Sequence, residues 1–242
     1  MTYLFRTFKR FSIAIIGISA LANQNFSYCQ TAGETVKDAD GNSYHTVKIG
    51  DQLWLKENLK TQHFRNGDKI LSMPISTDWS NSTKAAVSEK PKKGPYNSNY
   101  GRLYNWYTIS DARGLCPAGY HVPQRKDFEK LLDELGRNKS KWSDKSIFSQ
   151  GEAENLGGKL KAKSKMWLAP NSGSNNQSGF NALPAGYRAR SIVDMGLSAW
   201  FWTSTEYDAL NADGLVLSNE SSGSKLTYHF KTNGFSVRCL KD

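Results

Sequence analysis

Several kinds of hydrophobic pattern follow one another along the chain. Phe11 to Ala22 (FSIAIIGISALA) is a continuous apolar run, preceded by Arg6, Lys9 and Arg10 and followed by the polar break Asn23-Gln24-Asn25. From Thr35 to Thr61 the turn formers Asp38, Asp40, Gly41 and Asn42 give way to alternation through Tyr44, Thr46 and Lys48, a Gly50-Asp51 pair, and then Trp54 and Leu55. Strand side chains point to opposite faces in turn, so two short runs joined by such a pair predict a β-hairpin. Leu71 to Asn99, rich in Ser, Lys, Asn and Pro, keeps no period and predicts a long surface excursion. Tyr100 to Ile109 (YGRLYNWYTI) is dense in aromatics suited to packing as core.

Helical spacing enters with Phe128, Leu131, Leu132 and Leu135, and Gly136 stops it. That predicts a short amphipathic helix with a C-terminal glycine cap. Glu152 to Lys163 predicts a second helix interrupted by Gly157-Gly158, with Lys159, Lys161, Lys163 and Lys165 as a solvated edge. From Phe180 the pattern turns to strands, at Phe180–Tyr187, Ala199–Thr205, Gly214–Leu217, Leu226–Phe230 and Phe235–Leu240, separated by Gly- and Asn-rich turns. Helices gathered before a set of strands predict an α+β domain, short helices packed on a mostly antiparallel sheet. No internal repeat of fixed period is present.

The N-terminal run is about twelve residues, against roughly 20 for a bilayer-spanning helix. With its basic flank it reads as a secretory signal, residues 1–29, with cleavage after Ala22 as the alternative. Residues 30–242 are then one domain with no integral membrane span, secreted or held at the cell surface. Tyr28 ahead of Cys29 argues against a lipid anchor on that cysteine. The full chain carries Lys+Arg 32 against Asp+Glu 22, a net +10. Loss of Arg6, Lys9 and Arg10 lowers the exported balance to 10 − 3 = +7. Most of the remaining lysines are spread over 84–93, 126–145 and 159–165, and the run Lys90-Pro91-Lys92-Lys93 reads as a solvated loop. That dispersion excludes nucleic acid as the expected partner.

Six blocks in order, DADGNSYHTVKIGDQLWLKENLKT (38–61), YGRLYNWYT (100–108), GLCPAGYHVP (114–123), GFNALPAGYR (179–188), WFWTSTEYD (200–208) and GFSVRCLKD (234–242), resemble the Fibrobacter succinogenes major paralogous domain. The resemblance implies secreted or surface-exposed bacterial proteins without an established activity. It also implies a scaffold similar to C-type lectins and the formylglycine-generating enzyme. Its blocks put Cys116 before the main helix and Cys239 in the last strand. An oxidised pair is expected in an exported chain if their Cα atoms come within bonding range. The competing reading, a reactive cysteine, needs an exposed thiol beside a base such as His121.

Candidate chemistry is sparse. His45, His63, His121 and His229 match no zinc spacing. Gly falls fourth in the Asp38 cluster and Ile49 twelfth, so the cluster reads as a turn rather than an EF-hand. The Glu-Pro-Asn, Gln-Pro-Asp and Trp-Asn-Asp signatures of calcium-dependent lectins are missing, and copper chemistry of the formylglycine type would need a cysteine pair when only Cys29 is left over. No cofactor, metal ligand or catalytic residue is assigned. The expected function is a non-catalytic binding or adhesion module with a glycan or a surface protein as partner. An extracytoplasmic enzyme whose site forms only in three dimensions, and a structural envelope component, are the alternatives. Calcium-free glycan binding would fall to Arg190 and Asp194 in the loop 188–198 and to Glu206 and Asp208, while Trp200, Phe201 and Trp202 must turn at least one face to the core.

Overall fold

The computed structural model describes residues 33–74, 78–89, 98–136 and 155–242. The signal segment, Cys29 and the Lys90–Lys93 run lie outside the described residues. Strands β1 (Val36–Lys37) and β2 (Ser43–Tyr44) form a ribbon closed by the Asp38 turn. Asp38 Oδ1 accepts the N–H groups of Asp40 and Asn42 at 3.0 and 2.9 Å, and its Oδ2 accepts the Tyr44 hydroxyl at 2.5 Å. Strands β3 (Thr46–Ile49) and β4 (Gln52–Leu55) are the predicted hairpin, with Thr46 opposite Leu55 and Gly50 at φ +60° in the turn.

Next come β5 (Leu71–Met73), β6 (Ala86–Ser88), β7 (Tyr104–Asn105), α1 (Trp106–Ile109), β8 (Tyr120–His121), α2 (Arg125–Glu134) and α3 (Leu156–Leu160). Then follow β9 (Tyr187–Arg188), β10 (Ile192–Val193), β11 (Ser198–Glu206), β12 (Asn211–Ser218), β13 (Lys225–Phe230), β14 (Gly234–Phe235) and β15 (Leu240–Lys241). The larger sheets have the orders β10-β9-β14-β7-β6-β5, β3-β4-β15-β8 and β11-β12-β13. Parallel bridges of Ala199 to Gly186 and Phe201 to Ser236 stitch β11 to the six-stranded sheet.

This architecture overturns the α+β, C-type-lectin-like expectation. The described residues are mostly β, with three short α-helices set among strands that begin at Val36 rather than following the helices. Only α2 reaches ten residues. It has the predicted apolar face of Phe128, Leu131 and Leu132, and Gly136 follows at φ +103°. Helix α3 stops at five residues, but its glycines are not interruptions. A Cβ on Gly157 would lie 1.8 Å from the Gly223 carbonyl oxygen, and one on Gly158 would lie 2.2 Å from that of Gly173. Both serve close backbone approach.

Two further expectations change. The excursion after Leu71 supplies β5 and β6, and Trp79, Ala86 and Val87 within it are fully buried. The predicted last strand splits, with β14 in the six-stranded sheet and β15 in the four-stranded one. Between them Val237 O accepts Leu59 N–H at 2.9 Å and Cys239 O accepts Leu55 N–H at 2.9 Å.

Strand β11 separates two hydrophobic clusters because both of its faces are buried in the middle. Phe201 packs edge-on to Phe180 at 5.6 Å, beside Trp54, Phe128 and Leu131. Trp202 stacks on Phe235 at 4.0 Å, beside Tyr104, Trp106 and Val237. In the second cluster Cys116 and Cys239 form the expected disulfide, with Cα atoms 5.9 Å apart across 123 residues. No helix among the described residues is long and apolar enough to cross a membrane.

Candidate functional site

The four sequence-predicted contact residues are all exposed, but they do not meet. Arg190 sits at the tip of the β9–β10 hairpin, and Asp194, at φ +57°, turns the chain into β11, where its carbonyl accepts Ser198 N–H at 3.0 Å. Glu206 ends the same nine-residue strand and Asp208 follows it. Ser198 lies opposite Ser218 and Glu206 opposite Ala212, so at about 3.3 Å per residue the six intervening steps of β12 put the two pairs roughly 20 Å apart.

At the Glu206 end the carboxylates are already engaged. Glu206 Oε1 accepts from Lys231 Nζ at 2.6 Å, and that buried ammonium also reaches Ala209 O at 3.1 Å and lies 4.7 Å from the Trp106 ring centroid. Asp208 Oδ1 accepts the backbone N–H groups of Leu210 and Asn211 at 2.8 and 2.7 Å. The Asn211 side-chain amide, the largest contribution, and these N–H groups hold the Asp208 carboxyl below the usual carboxylate range. Both acids shape the β11–β12 loop.

What the loop presents is apolar. Tyr207 stacks on Tyr228 with centroids 4.2 Å apart and planes 14° from parallel. Tyr228 and Phe230 alternate onto one face of β13, an edge strand, and Phe230 pairs with Asn211 across the ladder. Tyr207, Phe230 and Leu210 are 51%, 61% and 67% exposed. Trp200, by contrast, is half-buried against Tyr187, His229 and Phe235, and its Nε1 donates to Ser198 Oγ at 2.6 Å. Burial in that cluster, with the Lys225 charge nearby, pushes the His229 imidazole down to about 4.

Besides Lys231, three buried cations, none in an ion pair among the described residues, escape sequence reasoning. Lys161, placed by its spacing on a solvated edge, is fully buried and donates to Ser172 O, Ser218 O and Ser221 O, each at 2.8 Å. Arg188 reaches Met73 O at 2.7 Å and Pro74 O at 2.6 Å, with its guanidinium over the Trp79 ring. Arg238 donates to Phe180 O, to Leu55 O at 3.3 Å and to Asn58 Oδ1 at 2.6 Å. Burial pushes Lys161 down to about 8, Arg188 to about 10 and Arg238 to about 9. Arg238 also lines a cleft of about 350 Å³ together with Lys56 and Lys60. The signal that was available is the block GFSVRCLKD, whose arginine falls between inward-pointing Val237 and Cys239.

Among the described residues no group of three or more His, Cys, Asp or Glu side chains is placed to hold a metal. Asp40, in the cluster that suggested calcium, instead accepts from Gln62 N–H at 2.5 Å, Thr61 Oγ1 at 3.2 Å and the His63 ring.

Fold and site together define a mostly β, disulfide-closed domain with an apolar loop tip and a cationic cleft. A family model, the Fibrobacter succinogenes major domain, matches residues 47–241. The chain belongs to that family. Neither a curated protein nor a solved structure matches it, so the lectin-like scaffold implied by the resemblance has no solved relative behind it.

Proposed function

We propose that the protein is a non-catalytic binding or adhesion module of the bacterial exterior and that it engages another protein through the tip formed by Tyr207, Leu210, Tyr228 and Phe230. The observation that carries this reading is the exposure of Phe230 and Leu210, 61% and 67%, beside the Tyr207–Tyr228 stack. Contiguous exposed apolar side chains rimmed by polar ones are the usual mark of a contact surface. A sugar would need free polar groups to orient its hydroxyls, and the neighbouring acids are occupied by Lys231 and by the loop's own N–H groups. The buried Cys116–Cys239 bridge supports an oxidising, extracytoplasmic setting, as does the N-terminal signal pattern.

The test is site-specific photo-crosslinking from position 210 against envelope extract at physiological salt, with exposed Lys163 as the control position. A discrete protein adduct from 210, lost in Tyr207→Ser/Phe230→Ser at unchanged melting temperature, is the expected result. Absence of an adduct overturns the reading. So does a glycan-array signal that the same double variant abolishes, because the tip would then be a sugar platform.

A further inference from the structure

The cleft beside Arg238 is a second candidate, independent of the apolar tip. Residues 55–59 run alongside 237–239, tied by the Leu55–Cys239 and Leu59–Val237 hydrogen bonds, and this brings Lys56, Lys60 and Arg238 to one cavity of about 350 Å³. Such a volume lies at the small end of ligand pockets and suits a molecule of monosaccharide size.

Its electrostatics are unbalanced. Arg238 is 1% exposed, it forms no ion pair with a described carboxylate, and its Nε donates to no described residue. Its two terminal nitrogens are spent on Leu55 O, Phe180 O and Asn58 Oδ1. The half-buried Lys56 and Lys60 ammonium groups have no hydrogen-bond or ion-pair partner among the described residues. The one acid in the lining, Glu57, accepts the His45 N–H and Nδ1 at 2.8 Å each and offsets part of the Arg238 charge through space, which leaves three cationic side chains against one carboxylate. A buried cation without a contacting counter-ion is costly, and an anion entering the cleft offsets that cost. The rest of the lining is mixed. Ser164 and Asn181 bring a hydroxyl and an amide, and Met166 and Leu183 give an apolar wall.

We propose that this cleft binds a small hydroxylated carboxylic acid of the hexuronate class. Lys56 and Lys60 contact the carboxylate, Arg238 supplies the buried positive charge behind it, and the polar and apolar walls receive the sugar ring's hydroxyls and its C–H face. Lysine ammonium groups carry mobile donors that can follow a carboxylate held at the cleft mouth. The fixed Arg238 charge gives the site its sign.

The test is calorimetric titration of the disulfide-intact chain at low ionic strength with sodium glucuronate, with glucose and inorganic phosphate as the comparison arms. Saturable binding of glucuronate is expected, at least about tenfold tighter than glucose and tighter than phosphate. Lys56→Gln/Lys60→Gln should weaken glucuronate by about tenfold or more at unchanged melting temperature, and Lys60→Gln alone should act in the same direction. Lys48→Gln, which removes an exposed charge outside the cleft, should leave the affinity unchanged. The proposal is overturned by lack of saturation up to about 10 mM glucuronate, by equal affinity for glucose, by tighter binding of phosphate, or by a Lys48→Gln loss equal to that of the double variant. Substitutions at the loop tip leave this binding intact, so failure here and failure of the protein-partner reading are separate results.

Discussion

Replacing Lys161 with Met tests how much a buried ammonium contributes to this fold. The side chain is fully buried, and its three donors go to the carbonyls of Ser172, Ser218 and Ser221 at 2.8 Å each, so it ties the loop after α3 to the end of β12 and the turn that follows it. Methionine keeps the length and apolar stem but leaves three carbonyls without that donor. A buried acceptor stripped of its partner costs about 1–3 kcal/mol, and three fully dry ones would approach the upper end of that range each. These carbonyls are only partly buried, and water will reach some of them once the ammonium is gone. The net loss should therefore be about 3–5 kcal/mol. In urea unfolding at pH 7, with a slope of about 2 kcal/mol per M, the midpoint should fall by about 2 M with the slope unchanged. Neighbouring lysines calibrate the reading. Lys159 donates to one carbonyl, Leu135 O at 2.7 Å, and its Met variant should lose about 1 kcal/mol. Lys163 is exposed and should shift stability by no more than about 0.5 kcal/mol. A Lys161→Met loss below about 1 kcal/mol, or one equal to that of Lys159→Met, refutes the three-carbonyl argument.

Two further outcomes follow from buried groups. The Cys116→Ala/Cys239→Ala variant should lose up to about 5 kcal/mol in the chain-entropy account of a 123-residue closed loop, and non-reducing mass mapping that finds both native thiols free in exported protein would remove the bridge altogether. The His229 imidazole, pushed down to about 4 by burial, is neutral in the folded state at pH values where the unfolded chain takes up a proton. Its contribution is therefore fully present above about pH 6.5 and is lost as pH falls toward 4, by about 3 kcal/mol at most. Urea unfolding of wild type and His229→Phe between pH 7 and 4 isolates this component, and parallel pH profiles for the two would contradict it.

Local signals carried the parts of the fold that the sequence made legible. The 46–55 hairpin, α2 with Gly136 behind it, and the β11–β13 ladder each follow from period-2 or helical spacing closed by a nearby glycine or asparagine turn. What failed depended on distant partners. Ala86 and Val87 become a strand only because Leu71–Met73 lies parallel on one side and Tyr104 opposite Val87 on the other. Gly157 and Gly158 look like helix breakers until the Gly223 and Gly173 backbones are placed against them. The candidate contacts failed for the same kind of reason. Arg190 and Asp194 fall close to Glu206 and Asp208 in sequence, but the nine-residue strand β11 carries the two pairs to its opposite ends.

The buried cations explain why the rest stayed hidden. Sequence reading places lysine and arginine at the surface by default, because a charge without a partner is expensive inside. This domain has many two- and three-residue strands, so much of its backbone lies in loops whose carbonyls find no ladder partner and still need donors. Lys161, Arg188 and Arg238 meet that need in the same way. Each lies over an aromatic ring, 5.4 Å from the Trp167 centroid, 4.1 Å from Trp79 and 4.3 Å from Phe180, and donates to backbone carbonyls of loops or strand ends. The ring face attracts the cation and the carbonyl dipoles satisfy its N–H groups, so burial is achieved without a carboxylate in contact. Lys231 differs, because this equally buried ammonium is paired with the exposed Glu206 carboxylate. Of the three, Arg238 lines the cleft, with two lysines that are unpaired among the described residues. The same side chain thus closes the backbone around β4 and gives the cavity a positive charge that the one lining acid, Glu57, offsets only in part, and the structural requirement for a donor at that point is what makes the site cationic.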